Sequence, residues 1–313
     1  MLTIIYCVDG AGIADVPSGR SFFGFMNDVI AGLRRNGKER TSETYTSALN
    51  SFRRFMEGRD ITADAINSGL IVDYQKWLRS WNVSMNTVSF YNRILRAVYN
   101  RAVDEGLTEQ CHPFRHVYTG VGKTVKRAVT LASIRTIKSL DLSFCPKLDF
   151  ARDMFLFSFY TRGMSFVDMA YLRKSDLRCG ILTYSRRKTG RRLTVKWEKC
   201  MQDIVDKYSA VGGTEFMLPI IRKEGDARIQ YRNALKFVNN KLKEVSVLAG
   251  MGVNLTTYVS RHSWASIAKS RDVPLSVISD GMGHDSEKTT RIYLASLDNS
   301  AIDTANKLIL EDL

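Results

Sequence analysis

Between Ser21 and Gly106 the apolar residues recur at three- and four-residue steps, the spacing of a helix with one buried face. Phe22, Phe23, Phe25, Met26, Val29, Ile30 and Leu33 share such a face behind Ser21. Arg34, Arg35 and Lys38 follow, where cations suit the negative end of the helix dipole. Thr41 or Ser42 is read as the cap of a second helix, with Tyr45, Ala48, Leu49, Phe52, Phe55 and Met56 inward and Gly58 as its stop. A third is expected over 64–78, through Ile66, Leu70, Tyr74, Trp77 and Leu78. A fourth opens at Ser84 or Asn86, runs through Val88, Tyr91, Leu95, Val98 and Ala102, and ends at Gly106. The pattern predicts a helical domain over 21–106, with Arg53, Arg54, Arg93, Arg96 and Arg101 on its exposed faces.

Periodicity then stops. Residues 107–128 hold Pro113, Gly120 and Gly122 and end in Lys123, Lys126 and Arg127, which reads as a basic interdomain linker. A second domain is expected over 129–313. Helices are predicted over 130–140 and, strongly apolar, over 148–160, where Thr161-Arg162-Gly163 interrupts; 168–172 is amphipathic. Ile181-Leu182-Thr183-Tyr184-Ser185 and Leu193-Thr194-Val195-Lys196-Trp197 alternate as strands. They read as a hairpin whose tip presents Arg186, Arg187, Lys188, Arg191 and Arg192. Helices are expected again over 200–208, 229–248, 256–268, a short one from Val273-Pro274, and 286–295, with a last amphipathic one over 301–310. The fold class is therefore mainly α with a small β-sheet in the second domain. Residues 1–20 are left as a separate segment, either a short strand and loop or an arm.

Charge changes the picture. Lys and Arg number 46 against 32 Asp and Glu, a net +14, which suggests a polyanionic partner, nucleic acid first. A solvated turn is the plain account of the hairpin tip, but five cations at one tip repel each other, so phosphate explains them better. Single surface arginines elsewhere are ordinary. The five scattered cysteines form no Cys-x-x-Cys pair and fit free thiols in a reducing cytoplasm. No membrane-spanning run, signal peptide, nucleotide-binding glycine motif or metal-ligand pattern is read, so no cofactor and no metal are expected.

The candidate chemistry lies near the C-terminus. His284 follows Gly281-Met282-Gly283, and Tyr293 lies nine positions on (293 − 284 = 9). Upstream are Tyr258, Arg261 and His262, with Arg162 and Lys188 further back. Such residues suit transfer of a phosphodiester to a tyrosine. Arginines clamp the non-bridging oxygens, a lysine protonates the leaving 5′ oxygen, and a histidine takes the phenol proton or bonds the phosphate.

The catalytic half, from about Arg162 to Tyr293, resembles the tyrosine recombinases of the phage-integrase family, and the helical domain resembles their core-binding domain more loosely. The first arginine motif is matched by Phe159-Tyr160-Thr161-Arg162-Gly163-Met164-Ser165-Phe166-Val167-Asp168-Met169, and the hairpin lysine falls on Lys188. The second box reads Tyr258-Val259-Ser260-Arg261-His262, the third Gly283-His284, and Tyr293 is the nucleophile. The box that usually starts with histidine starts here with Tyr258, which puts the general base in question. The resemblance implies a two-domain DNA clamp without a cofactor, catalytic Tyr293, Arg162, Arg261, Lys188, His284 and Tyr258, and a 3′-phosphotyrosyl intermediate. DNA contacts are expected from Arg186, Arg187, Arg191, Arg192, Lys123, Lys126, Arg127 and His262. It also implies four copies on two double-stranded DNA sites, for integration, excision or inversion. The 301–310 helix suits docking into a neighbour, since its apolar face has little left to bury locally; folding back on its own domain is the alternative. A DNA-binding regulator on an inactivated fold and a topoisomerase-like nicking-closing enzyme are the alternatives.

Overall fold

A computed structural model describes residues 20–122, 127–211, 214–294 and 310. The chain divides into two compact units, 1–123 and 124–313.

The first unit is a helical bundle. Helix α1 (Phe22–Arg35) opens on Ser21, whose hydroxyl accepts the Gly24 N–H. Helix α2 (Glu39–Phe55) starts earlier than expected. Lys38 is its N-cap without a side-chain bond, and Ser42 is buried inside the helix, donating to the Glu39 carbonyl at 2.8 Å. The expected third helix is two pieces: a 3₁₀ turn at Ala63–Ala65, then α3 (Ser68–Ser80) capped by Asn67. Helix α4 (Met85–Asp104) is capped by Ser84. Phe22, Phe52, Tyr74, Leu78, Leu95 and Tyr99 fill the core, with Phe52 and Tyr74 edge to face at 5.1 Å.

Residues 107–122, read as linker, are packed on this bundle. Phe114 and Val117 join its core. Asn86, Ser89 and Asn92, three apart on one face of α4, bind the segment. Asn86 Oδ1 accepts the Gly122 N–H at 2.7 Å, Ser89 donates to the Gly120 carbonyl, and Asn92 donates to the Tyr118 carbonyl at 3.1 Å. A chain segment without regular structure must find partners for its peptide groups, and this polar stripe supplies them.

The second unit is built on α6 (Pro146–Tyr160), apolar on nearly all sides and therefore buried. Helix α5 (Leu131–Ser139) precedes it, and α7 (Phe166–Ala170) follows it. A three-stranded antiparallel sheet comes next, β1 (Leu177–Arg178), β2 (Ile181–Ser185) and β3 (Arg192–Lys196), in that order. Leu182 faces Val195 across β2 and β3, and both are buried in the core. Then come α8 (Lys199–Lys207), α9 (Ala227–Leu248), α10 (Thr257–Lys269), α11 (Leu275–Met282) and α12 (Glu287–Leu294). Helices α9 and α10 pack on α6, and the buried Ser260 of α10 donates to the Phe155 carbonyl of α6 at 2.9 Å. The expected helix over 301–310, and residues 1–19, lie outside the described residues apart from the helical Leu310. Among the described residues no helix is long and apolar enough to cross a membrane.

Candidate active site

The site is assembled where α6 ends. The chain leaves the helix through two successive left-handed residues, Arg162 (φ +61°) and Gly163 (φ +74°). The Gly163 N–H closes the turn on the Ser158 carbonyl at 2.8 Å. Glycine is needed at 163 for two reasons. Its φ disfavours a side chain, and a Cβ would lie 2.8 Å from the Arg261 Cα. That contact brings α10 against the turn and sets Arg261 beside Arg162.

Arg261 is buried and held at both ends of its guanidinium. Nη1 donates to the Gly163 carbonyl and Nη2 to the Met282 carbonyl, each at 2.7 Å. A guanidinium carries its N–H donors in a rigid planar fork, so two such bonds fix its plane. Arg162, half-buried, donates from Nη1 to the Thr194 carbonyl of β3 at 3.2 Å. Its Cδ lies 3.7 Å from where a Cβ on Gly281 would stand, so it also borders α11. Burial pushes the Tyr184 hydroxyl up, and Asp168 adds to the rise. The charges of Arg261, Arg186 and Arg162 oppose it.

Helix α11 ends in a left-handed glycine cap, Gly283 (φ +63°), which presents His284 before α12. The His284 N–H bonds the Ser279 carbonyl at 3.0 Å, and its Nδ1 lies 2.7 Å from Thr290 Oγ1 on α12. The ring is buried. Desolvation first, then the charges of Arg261, Arg186 and Lys188, lower its pKa from 6.5 to about 4, with Asp285 opposing. At neutral pH it is a neutral imidazole. Tyr293 is three positions beyond Thr290 on the same helix.

Lys188 is exposed in the β2–β3 turn and close enough for its charge to act on His284. Tyr258 is 54% exposed on the first turn of α10, its ring edge to face with His262 at 4.6 Å. His262 itself is buried, so it does not offer the surface contact expected of it.

The tip cations divide. Arg186 is 8% exposed and donates to the Gly283 carbonyl, with Nε 3.9 Å from the buried Asp168. Arg191 donates to the His284 carbonyl and pairs with Asp280 at 2.8 Å. The guanidinium of Arg187 lies over the Tyr171 ring at 3.8 Å. The expectation that the tip presents all five outward therefore fails for Arg186 and Arg191, which protein carbonyls and carboxylates engage, whereas Arg187 is exposed. Arg192 is exposed, as is Arg127; Lys123 and Lys126 lie outside the described residues. Asp168 accepts from the Arg187 N–H at 2.9 Å and from Ser165, so its hydrogen-bond partners are at the hairpin tip and at the N-cap of α7. Nothing in the residue pattern ties Arg186 and Arg191 directly to His284. Only their place at the two ends of the Lys188 turn hints at such a tie.

The chain is similar to several known proteins. Residues 21–117 match the family model of the phage integrase SAM-like domain. The tyrosine recombinase XerD of Pseudomonas aeruginosa is 20% identical over 83% of this chain and 88% of its own. The tyrosine recombinase XerA of Pyrococcus furiosus is 24% identical over 92% and 95%. A crystal structure of a lambda integrase dimer bound to a COC′ core site shares the fold, with a TM-score of 0.69, 15% identity, and 88% of this chain and 95% of that one covered. A lambda integrase tetramer bound to a Holliday junction gives 0.68 and 15%, covering 89% and 78%. The helical unit and the unit carrying Arg162, Arg261 and His284 both fall within the stretch of chain that is similar to these tyrosine recombinases.

Proposed function

We propose that the chain is a site-specific recombinase that cuts and rejoins double-stranded DNA through a 3′-phosphotyrosyl bond on Tyr293. The observation that carries this reading is the convergence of Arg261 and the Lys188 turn on the loop that bears His284 and leads into α12, with Arg162, next to Gly163 of the same arginine turn, bonded to β3. Four separate stretches of chain supply these groups, and direct hydrogen bonds fix them before any substrate is present. Such preorganised charge is worth most where negative charge builds on phosphorus.

In the proposed reaction the Tyr293 oxygen attacks the scissile phosphorus. The P–O5′ bond breaks with its electron pair on O5′, and Lys188 supplies the proton that oxygen needs. The phenol proton passes to His284 or to water. A base lowered to about pKa 4 is weak, but the negative phosphate placed against it raises that value, so the substrate switches on its own base. Tyr258, in the place of the family's usual histidine, donates a hydrogen bond to a non-bridging oxygen. The 5′ hydroxyl of the partner strand then attacks the phosphotyrosine and restores Tyr293. The diester energy is held in the covalent bond throughout.

DNA contacts are assigned to the exposed Arg192 and Arg127, to Lys123 and Lys126, and to Arg187 on its aromatic platform. Four copies acting on two sites, with the segment 301–310 exchanged between them, complete the proposal. The test is a nicked suicide substrate, built on a site selected from random sequence by binding to the protein. Wild type should trap a covalent adduct and Tyr293→Phe none. A wild type that binds the duplex and traps nothing would refute the reading and favour a regulator.

A further inference from the structure

Arg186 and Arg191 stand at the two ends of the turn that carries Lys188. Their backbones close it: the Arg186 N–H bonds the Arg191 carbonyl at 2.9 Å, and the Gly190 N–H bonds the Arg186 carbonyl at 2.7 Å. Both side chains then end on one loop. Arg186 Nη1 donates to the Gly283 carbonyl at 2.5 Å. Arg191 Nη1 donates to the next carbonyl, that of His284, and Nη2 pairs with Asp280 at 2.8 Å. The fit is close. A Cβ on Gly283 would lie 2.7 Å from Arg186 Cδ and 2.9 Å from Leu193 Cδ1. From the other side, Asp168 accepts the Arg187 N–H at 2.9 Å.

We propose that Arg186 and Arg191 are positioning residues: a double clasp that fixes the Lys188 turn against the His284 loop, so that the leaving-group acid and the histidine reach one phosphate together. This rests on the recombinase reading above. Lysine is a flexible point charge on a four-carbon stem, and its turn is exposed, so nothing in Lys188 itself sets where its ammonium goes. The two arginines lock both ends of the turn to consecutive carbonyls, with Arg186 turned away from solvent and both terminal nitrogens of Arg191 engaged by protein. A cation meant for a DNA phosphate is not held in this way, whereas one that transmits position is.

The test compares the full-length Arg191→Gln variant with Arg192→Gln, the exposed neighbour. Arg191 is chosen because it is the more exposed of the pair, and loss of the buried Arg186 would disturb folding. Three quantities are read on the selected site: affinity against salt, cleavage rate of the bound nicked duplex, and the same rate with sulfur in place of the bridging 5′ oxygen. A thiolate leaves without a proton, so sulfur bypasses Lys188. Arg191→Gln should keep wild-type affinity and salt slope, cleave the ordinary diester at least about tenfold slower, and recover most of the rate on sulfur. Arg192→Gln should instead lose affinity and about one unit of salt slope while cleaving normally once bound. The clasp is overturned if Arg191→Gln behaves like Arg192→Gln, if it is slow on both substrates alike, or if it cleaves both at the wild-type rate. No adduct from wild type would overturn the recombinase reading and the clasp with it. An adduct from wild type without the sulfur-selective defect would overturn the clasp alone.

Discussion

Gly163→Ala tests whether the arginine turn and α10 are in obligatory contact. Two costs are expected. Alanine at φ +74° is strained by about 1–2 kcal/mol. Its Cβ would also stand 2.8 Å from the Arg261 Cα and 2.9 Å from its Cγ. A backbone atom cannot rotate aside, so α6 and α10 must separate, at a further overpacking cost of about 1–3 kcal/mol. Gly180→Ala isolates the first cost: φ there is +71°, with nothing within 4 Å of the added carbon. Urea unfolding of the two full-length variants should place Gly163→Ala about 2–5 kcal/mol below wild type and Gly180→Ala about 1–2 kcal/mol below, the difference being the contact. Adduct formation should fall at least about tenfold in Gly163→Ala alone, because Arg261 is bonded to the Gly163 carbonyl and moves with it. Equal destabilisation of the two variants, or a fully active Gly163→Ala, would refute the close approach.

Three other outcomes follow from the same site. Arg261→Lys keeps the charge, but one ammonium cannot reach the Gly163 and Met282 carbonyls together. It should lose about 2–3 kcal/mol by urea unfolding and at least about a hundredfold in cleavage, and near-wild-type cleavage would contradict the clamp. Tyr258→Phe removes a hydroxyl from an exposed ring, so stability should change by less than about 0.5 kcal/mol while cleavage falls about tenfold; cleavage at full rate would eliminate the phosphate contact. His284 has its folded-state pKa lowered from 6.5 to about 4, so its neutral form stabilises the fold above pH 6.5. That contribution is lost as pH falls towards 4, up to about 3 kcal/mol. Acid unfolding of His284→Gln should lack this loss, and identical pH profiles for wild type and variant would remove the assignment.

Much of the helical pattern was legible because burial and periodicity coincide. Helices α1, α4, α6 and α10 lie within a few residues of their expected spans, and Ser21, Ser84 and Thr256 cap three of them. The misses are places where a polar residue does something other than cap. Ser42 looks like a helix start but donates to its own helix. The two-residue β1 was not foreseen because its turn uses Cys179 (φ +49°) and Gly180, and cysteine is not a residue that announces such a turn. The 107–122 segment lacks periodicity, so nothing local reveals that Asn86, Ser89 and Asn92 hold it on the bundle.

The site was legible in its residue types but only partly in their roles. Arg162 stands out because it interrupts an apolar stretch, His284 because it follows a glycine, and Arg261 because it sits with His262 in a helix one turn after Tyr258; the fold brings the three together. Arg186 and Arg191 read as surface charge for the opposite reason: in sequence they sit in a basic turn with no acid nearby. Their acceptors are backbone carbonyls about 95 positions away, and carbonyls leave no mark in sequence because every residue has one. A basic run beside a β-turn therefore contains two populations, cations that look outward and cations that hold the molecule to itself. Arg192 and Arg191 are adjacent examples, one exposed and one engaged by His284 and Asp280. Net charge counts them alike, but only the first kind should contribute to the salt dependence of DNA binding, which is why the salt slope, rather than affinity alone, separates them.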